Sequence, residues 1–304
     1  MILFRYNFSS QKNHNRTHML FQCLCGIQPI FYSTHPNEEP RLLVFCIFQF
    51  TVLHYYIHPI KRFSILAEYP AAPWILPFLG QNIYFLFVYG ISVIYFYSNV
   101  PFMQSNQLYV LVRQGRVRWT VSKLTRIWLS AFLLAMVEFL LSLLPLLPRV
   151  EWVLEWGKLY YSLALTNAMT EYELNFYFSY DLINANTAIM TMLIVLLLLS
   201  LITGMVGTVM FAISILLNRT AAILVGTILA VLTVVLENMY HYYEWLVFLS
   251  PFSWVDLLLL YQKTRKMAPS LAAVTLITVV TGVIFSVITI RRMKKIDLQW
   301  TDEE

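Results

Sequence analysis

The chain has 304 residues, of which 59% are apolar and 12% charged, and its formal net charge is +5. Soluble domains carry about a quarter of their residues as charged side chains, so this composition excludes an ordinary soluble domain and predicts an all-α, polytopic membrane protein. We attribute the positive charge to cytoplasmic loops rather than to nucleic-acid binding.

Six apolar segments meet or approach the roughly 20 residues that a helix needs to cross a bilayer. They predict transmembrane helices at 42–60, 74–97, 127–147, 187–217, 221–236 and 271–290. The fourth segment would be about 46 Å long, so it must tilt or project beyond the bilayer. The predicted organisation is a cytoplasmic or interfacial segment over 1–41, a six-span domain over 42–290 and a cytoplasmic tail over 291–304.

Two further apolar stretches are harder to assign. Segment 17–37 is uncharged but contains several polar residues and two prolines, which favours an interfacial or amphipathic entry segment and leaves a seventh span as the alternative. Within and before it, His14, His18, Cys23 and Cys25 match no standard zinc spacing, and we expect no metal site. The run Leu246–Leu260 is too short for a span and contains Pro251 and Asp256, which is typical of a short re-entrant element.

A basic stretch separates the second and third predicted spans. Residues 107–126 carry five positive charges and no acidic residue. Cytoplasmic loops of membrane proteins collect Lys and Arg, and placing both termini in the cytoplasm brings most of the basic residues to that side. The mixture of apolar and basic residues indicates a helix that a partner protein binds.

The sequence lacks the motifs of the common nucleotide-binding and hydrolytic sites. It contains no G-x-x-x-x-G-K-[ST] phosphate loop, no H-E-x-x-H and no G-x-S-x-G. The longest predicted loop outside the membrane, 148–186, is too short for a separate catalytic domain. We therefore expect no enzymatic activity, no catalytic residue and no cofactor in this chain.

Glu138 lies near the centre of the third predicted span, where an ionisable group is costly and normally faces a partner or a water-filled path. One interpretation makes it a residue of a substrate route or a counter-charge for a cationic cargo. The other makes it a structural hydrogen-bonding group for a second helix, with His54 or Asn82 as the partner. The sequence leaves both open.

Small residues recur every four positions on two spans. They are Ser200, Gly204, Thr208 and Ala212 on the fourth span, and Ala222, Gly226 and Ala230 on the fifth. Such stripes allow close approach of two helix backbones. They predict packing faces within one chain, with a dimer seam as the alternative.

Taken together, these features resemble the permease subunits of type-2 ATP-binding-cassette exporters over about residues 74–295. The resemblance is carried by six spans with both ends inside, by the basic loop LVRQGRVRW at 111–119 and by LSPFSW at 249–254 between the last two spans.

The resemblance implies partners as well as a fold. The loop after the second span would form a coupling helix seated on a cytoplasmic ATPase subunit, with Arg113, Arg116, Arg118, Trp119 and Lys123 at or beside the contact. Ser250, Pro251, Phe252, Ser253 and Trp254 would belong to an element that dips into the membrane.

ATP and Mg²⁺ would be bound by the partner ATPase, and a second permease, identical or different, would complete the path through a bacterial plasma membrane. The cargo would be an antimicrobial peptide, a drug or a lipid-like molecule. A secondary transporter and a membrane-embedded enzyme are the alternatives, but the spans show no inverted repeat and no cluster of His, Asp or Glu.

Overall fold

The regular secondary structure of the part of the chain that the structure describes is helical. The structure is a computed structural model and describes residues 39–99, 111, 113–166, 168–172, 174–239, 242, 244–261 and 269–295. Within these ranges six long helices occur, which are α1 (Glu39–Leu66), α2 (Ile83–Tyr97), α3 (Arg116–Leu143), α4 (Ala188–Leu216), α5 (Arg219–Met239) and α6 (Leu271–Lys295). Short helical pieces connect them at Leu76–Leu79, Leu144–Leu146, Gly157–Leu165, Ala168–Glu171, Tyr180–Ala185, Glu244–Leu249, Phe252–Val255 and Leu257–Tyr261.

The chain divides into two compact units, residues 1–43 and 44–304. Of the first unit the structure describes only the beginning of α1. The predicted entry segment 17–37 and residues 296–304 of the predicted tail lie outside the described residues. The helical bundle belongs to the second unit.

Among the described residues, five helices are long and apolar enough to cross a membrane. They are α1, α3 with its continuation to Leu146, α4, the first 18 residues of α5, and α6. These helices indicate a multi-pass integral membrane protein.

The predicted span 74–97 differs from the others because it is interrupted. The short helix Leu76–Leu79 ends at Gly80, and α2 starts again at Ile83 with the Asn82 side chain accepting a hydrogen bond from the Phe85 N–H. The remaining helix is apolar but has 15 residues, which gives a length of about 22 Å. Asn82 thus begins a new helix where hydropathy alone predicted a continuous span.

Helix α4 forms the centre of the bundle, packing against α2, α3, α5 and α6. In its most apolar window 56% of the residues are buried, against 17% to 39% in the other four long helices. Since the membrane supplies no hydrophobic force between helices, close packing of small residues must hold them together. Gly204 and Gly207 on α4 serve this purpose.

The connections at one end of the bundle contact one another, and we call them the loop end (the described residues among 67–82, 147–187 and 244–261). Lys61 Nζ at the end of α1 donates to the Leu147 carbonyl at 2.6 Å. Trp74 Nε1 donates to the Val153 carbonyl at 2.8 Å, and a short parallel bridge joins Ala71 to Val150.

The opposite end, which we call the basic end, contains Ser98, Leu111, residues 113–119 and Arg219. Arg219 Nε donates to the Ser98 carbonyl at 2.7 Å, which joins the end of α2 to the beginning of α5. Helix α6 starts ten residues after the loop-end residue Tyr261 and is 25 residues long, about 38 Å. Its final turn, with Arg291, Arg292, Lys294 and Lys295, is therefore far from the loop end.

Candidate functional site

The basic end contains a bend between two helical pieces. Leu111, Arg113 and Gln114 are helical, and the Gly115 N–H donates to the Leu111 carbonyl at 2.9 Å. Gly115 has φ +82°, in the left-handed region where glycine carries no steric cost. Helix α3 begins at the next residue. The turn that carries Arg113 is therefore joined to α3 through a backbone conformation that glycine favours.

The five residues predicted to contact an ATPase divide into two groups. Arg113 and Arg118 are exposed and Arg116 is half-buried. Trp119 and Lys123 are buried, with 3% and 7% of their surface exposed. The exposed guanidinium groups are available to another molecule, whereas the two buried side chains contact the bundle.

Trp119 fixes the first turn of α3 to the central helix. Its ring centroid lies 6.3 Å from that of Phe211 on α4. Lys123 Nζ lies 5.5 Å from the Trp119 ring centroid, within the range of a cation–π interaction. A displacement of the exposed basic turn would therefore be transmitted to α4 as well as along α3.

The five residues of the predicted re-entrant element are all buried. Their polar groups are satisfied locally: Ser253 Oγ donates to the Ser250 carbonyl at 2.7 Å, and Trp254 Nε1 donates to the Val247 carbonyl at 2.6 Å. Ser250 Oγ lies 3.3 Å from Thr233 Oγ1 of α5. Buried non-α backbone is tolerated at membrane depth when protein surrounds it and its hydrogen bonds are made.

Phe252 brings this element against the middle of two long helices. A Cβ atom added to Gly90 would lie 3.1 Å from Phe252 Cε2 and 3.2 Å from the Ala230 Cβ. Gly90 is the eighth of the 15 residues of α2, about 10 Å from the start of that helix. Phe252 therefore contacts α2 near the middle of that helix rather than at its end.

Glu138 is fully buried, and neither of its carboxyl oxygens has a hydrogen-bond partner. The predicted partners lie elsewhere: His54 is exposed, with its ring centroid 5.4 Å from that of His58, and Asn82 Oδ1 accepts a hydrogen bond from the Phe85 N–H at 2.9 Å. The hydrogen bond to His54 or Asn82, which was one interpretation of Glu138, is not formed. The sequence could not reveal this, because it depends on which way each helix is rotated.

Other fully buried polar side chains occur on the neighbouring helices of the bundle. Tyr89 Oη and Thr203 Oγ1 form a hydrogen bond of 3.0 Å. Gln49 of α1 is fully buried with both amide atoms unpartnered. We call Gln49, Tyr89, Glu138 and Thr203 the buried polar cluster.

The small-residue stripes lie against other helices of the same chain. Gly204 contacts Trp128 of α3, and Gly226 contacts Ile94 of α2. Ala230 contacts Gly90. Of the remaining stripe residues, Thr208, Ala212 and Ala222 are buried and Ser200 is half-buried.

The sequence did not predict the role of Trp128. Cβ atoms added to Gly204 of α4 and Gly282 of α6 would lie 2.6 Å and 2.9 Å from its ring. One indole of α3 thus occupies the space left by two glycines on two other helices.

Sequence reasoning also missed an aromatic cluster at the loop end. Its members are Phe78, Trp156, Tyr160, Phe176 and Phe178, with ring centroids 4.6 to 5.4 Å apart. Tyr160 Oη donates to the Ala72 carbonyl at 2.5 Å, and burial raises the pKa of Tyr160 above its ordinary value, which keeps the hydroxyl protonated as a donor. The density of aromatic residues in 152–180 was the available signal.

Comparison with protein-family models, with curated proteins and with solved structures finds no match to this chain. Among the described residues, no group of three or more His, Cys, Asp or Glu side chains is arranged to hold a metal ion. The function must therefore be argued from the basic end, the re-entrant element and the buried polar cluster.

Proposed function

We propose that the chain is the permease subunit of a type-2 ATP-binding-cassette exporter, which moves its cargo with energy from a separate cytoplasmic ATPase. The observation that carries this proposal is the bent basic segment, in which Arg113 and Arg118 are exposed while Trp119 attaches the next turn to α4. The exposed basic residues that a partner can bind are thus next to a residue that contacts the central helix α4.

The same geometry gives a route for mechanical coupling. Glu138 is 20 residues beyond Arg118 on one continuous helix, about 30 Å along its axis. An ATPase that moves the basic turn would tilt α3 and, through Trp119 and Phe211, α4. Both helices border the buried polar cluster, so the interior environment would change with the ATPase cycle.

The proposal includes a topology. Helix α2, extended by the Leu76–Leu79 piece, serves as the sixth span, and the basic end faces the cytoplasm with both chain termini, because basic residues accumulate on that side. The partner ATPase binds ATP and Mg²⁺. A second permease, identical or different, completes the path across a bacterial plasma membrane, and the cargo is a drug, an antimicrobial peptide or a lipid-like molecule by analogy.

A second candidate function is ion-coupled secondary transport. It is favoured by Glu138, since an unpartnered carboxyl group inside a membrane bundle is typical of ion and proton pathways. The two candidates differ in what energises transport, and an ATPase partner decides between them.

The test is co-purification with a candidate ATP-binding-cassette ATPase, sought among the genes next to the one that encodes this chain. Reversing the charge of both exposed residues, Arg113→Glu with Arg118→Glu, should lower the amount of bound ATPase about tenfold or more, because like charges at a contact cost several kcal/mol. The matched control is Lys158→Glu, an exposed charge reversal at the loop end, which should leave binding unchanged. Absence of any complex with the wild-type chain, or equal loss in both variants, would contradict the proposal.

A further inference from the structure

Helix α6 ends in a cluster of cations, which we call the α6 basic turn (Arg291, Arg292, Lys294 and Lys295). All four side chains are exposed, and the last five residues of the helix include no acidic residue. Of the 25 residues of the helix, the 20 that precede this turn (271–290) are uncharged. They span about 30 Å, which equals the thickness of a hydrocarbon core. The four cations therefore lie at the depth of the lipid headgroups.

The α6 basic turn is packed against the bundle on its other side. Buried residues follow one face of the helix, namely Val274, Thr278, Gly282, Thr289 and Met293. Met293 lies between the two pairs of cations, is 1% exposed and belongs to the hydrophobic core. Since the last turn keeps this contact, the four cations are presented from a fixed part of the helix.

The exposed face of α6 carries two rows of large apolar side chains, each of which leads to a cation. Residues four positions apart lie on one face of a helix. The apolar rows, all of whose members are exposed, are Leu276, Val280, Ile284 and Ile288, followed by Arg292, and Val279, Val283 and Val287, followed by Arg291. From Leu276 to Ile288 the helix rises about 18 Å, more than the roughly 15 Å that one leaflet contributes to the hydrocarbon core. The rows thus offer an acyl chain a continuous surface that ends beside a cation.

Helix α3 adds positive charge at the same level. A Cβ atom added to Gly282 would lie 2.9 Å from the Trp128 ring, so these two residues are level in the bundle. Arg118 precedes Trp128 by ten residues and Arg292 follows Gly282 by ten residues, so each lies about 15 Å from this contact, toward the basic end. Exposed cations of two adjacent helices therefore lie at one depth and produce a positive surface.

The charge and the apolar rows together select the partner. A soluble protein or a free anion would leave the apolar rows uncovered. A second copy docked on this face through a two-fold axis would bring its own α6 basic turn to the same depth, and the like charges would repel each other. An anionic phospholipid covers both parts, because its acyl chains suit the apolar rows and its phosphate accepts hydrogen bonds from Arg and Lys.

We propose that the exposed face of α6 binds an anionic phospholipid, with an acyl chain along the apolar rows and the phosphate at the α6 basic turn. Each Lys or Arg close to an anionic membrane surface strengthens the attraction about fivefold, whereas a zwitterionic lipid carries no net charge. The inference does not depend on the proposed function. Binding requires no ATPase, so it can be measured on the chain alone.

The experiment uses the full chain purified in detergent micelles and three probes: dioleoylphosphatidylglycerol, dioleoylphosphatidylcholine and soluble glycerol 3-phosphate. Bound probe is titrated by native mass spectrometry. We expect phosphatidylglycerol to bind about tenfold or more tightly than phosphatidylcholine, which has the same acyl chains, and this preference should shrink as ionic strength rises. Equal affinity for the two lipids would overturn the assignment to an anionic headgroup, and equally tight binding of glycerol 3-phosphate would overturn the role of the apolar rows.

Variants locate the site, and thermal unfolding without added lipid tests whether each one is folded. Arg292→Gln with Lys295→Gln removes two cations of the α6 basic turn and should weaken phosphatidylglycerol binding about tenfold or more, with phosphatidylcholine binding unchanged. Arg292→Lys with Lys295→Arg keeps the charge and should keep the preference. The matched control, Arg62→Gln with Lys158→Gln, removes two exposed cations near the loop end and should bind as the wild type does. A folded Arg292→Gln, Lys295→Gln protein that keeps its preference for phosphatidylglycerol, or an equal loss in the control, would show that the site is not on α6.

Discussion

The packing of Trp128 between two glycines leads to a quantitative prediction. A Cβ atom on Gly204 would lie 2.6 Å from Trp128 Cε3 and 2.8 Å from Cζ3, well inside van der Waals contact. The indole cannot swing away easily, because its other edge already faces Gly282, where an added Cβ would lie 2.9 Å from Cζ2. Overpacking a tight site costs roughly 1–3 kcal/mol, and we expect Gly204→Ala to lower the free energy of unfolding by about that amount.

The assay is reversible unfolding of the purified protein in mixed micelles. Gly226→Ala is the matched control, because its Cβ would meet the more adaptable Ile94 and Met210 side chains at 3.2 Å, and its cost should be smaller. A double-mutant cycle tests whether Trp128 is the cause. In a Trp128→Leu background, Gly204→Ala should change the free energy of unfolding little, because the ring that the added Cβ would clash with is absent. Wild-type stability of Gly204→Ala, or an equal cost in both backgrounds, would refute the reasoning.

Three further predictions concern the interior and the loop end. Glu138→Leu should leave the free energy of unfolding unchanged or raise it by about 1 kcal/mol or more. The reason is that no hydrogen bond is lost and an unpartnered buried polar group is removed. A clear loss of stability would show that Glu138 has a partner. Phe252→Ala should lower the free energy of unfolding by about 3–5 kcal/mol, whereas Phe248→Ala, at an exposed ring, should have little effect in the same unfolding assay. Tyr160→Phe should cost about 1 kcal/mol for the hydrogen bond to the Ala72 carbonyl, with the exposed Tyr161→Phe as a neutral control.

The long uninterrupted helices were predictable from hydropathy. The predicted span 187–217 corresponds to α4 at Ala188–Leu216, and the predicted 271–290 is contained in α6 at Leu271–Lys295. The length of an uninterrupted apolar run is almost sufficient to predict such a helix. The prediction of one continuous span over 74–97 was wrong. Mean hydropathy does not detect the break at Gly80 and the capping residue Asn82, although both residues are recognisable in the sequence as signals of helix ends.

The details of the candidate sites were harder to predict from the sequence. The sequence indicated a basic partner surface, but the division between exposed Arg118 and buried Trp119 depends on how α3 is rotated against α4. Glu138 was singled out for its cost in the membrane, while its lack of a partner depends on the orientation of several helices at once. Trp128 was overlooked because its importance comes from glycines on α4 and α6, which are distant in sequence.

The most direct measurement of the proposed partnership is site-specific photocrosslinking in cells that co-express this chain with a candidate ATP-binding-cassette ATPase. A photoreactive residue at position 118, on the basic end, is compared with one at position 154, where an exposed leucine lies at the loop end. We expect a crosslink to the ATPase from position 118 and none from position 154. A crosslink from position 154, or a fully expressed pair with no crosslink from position 118, would contradict ATPase binding at the basic end.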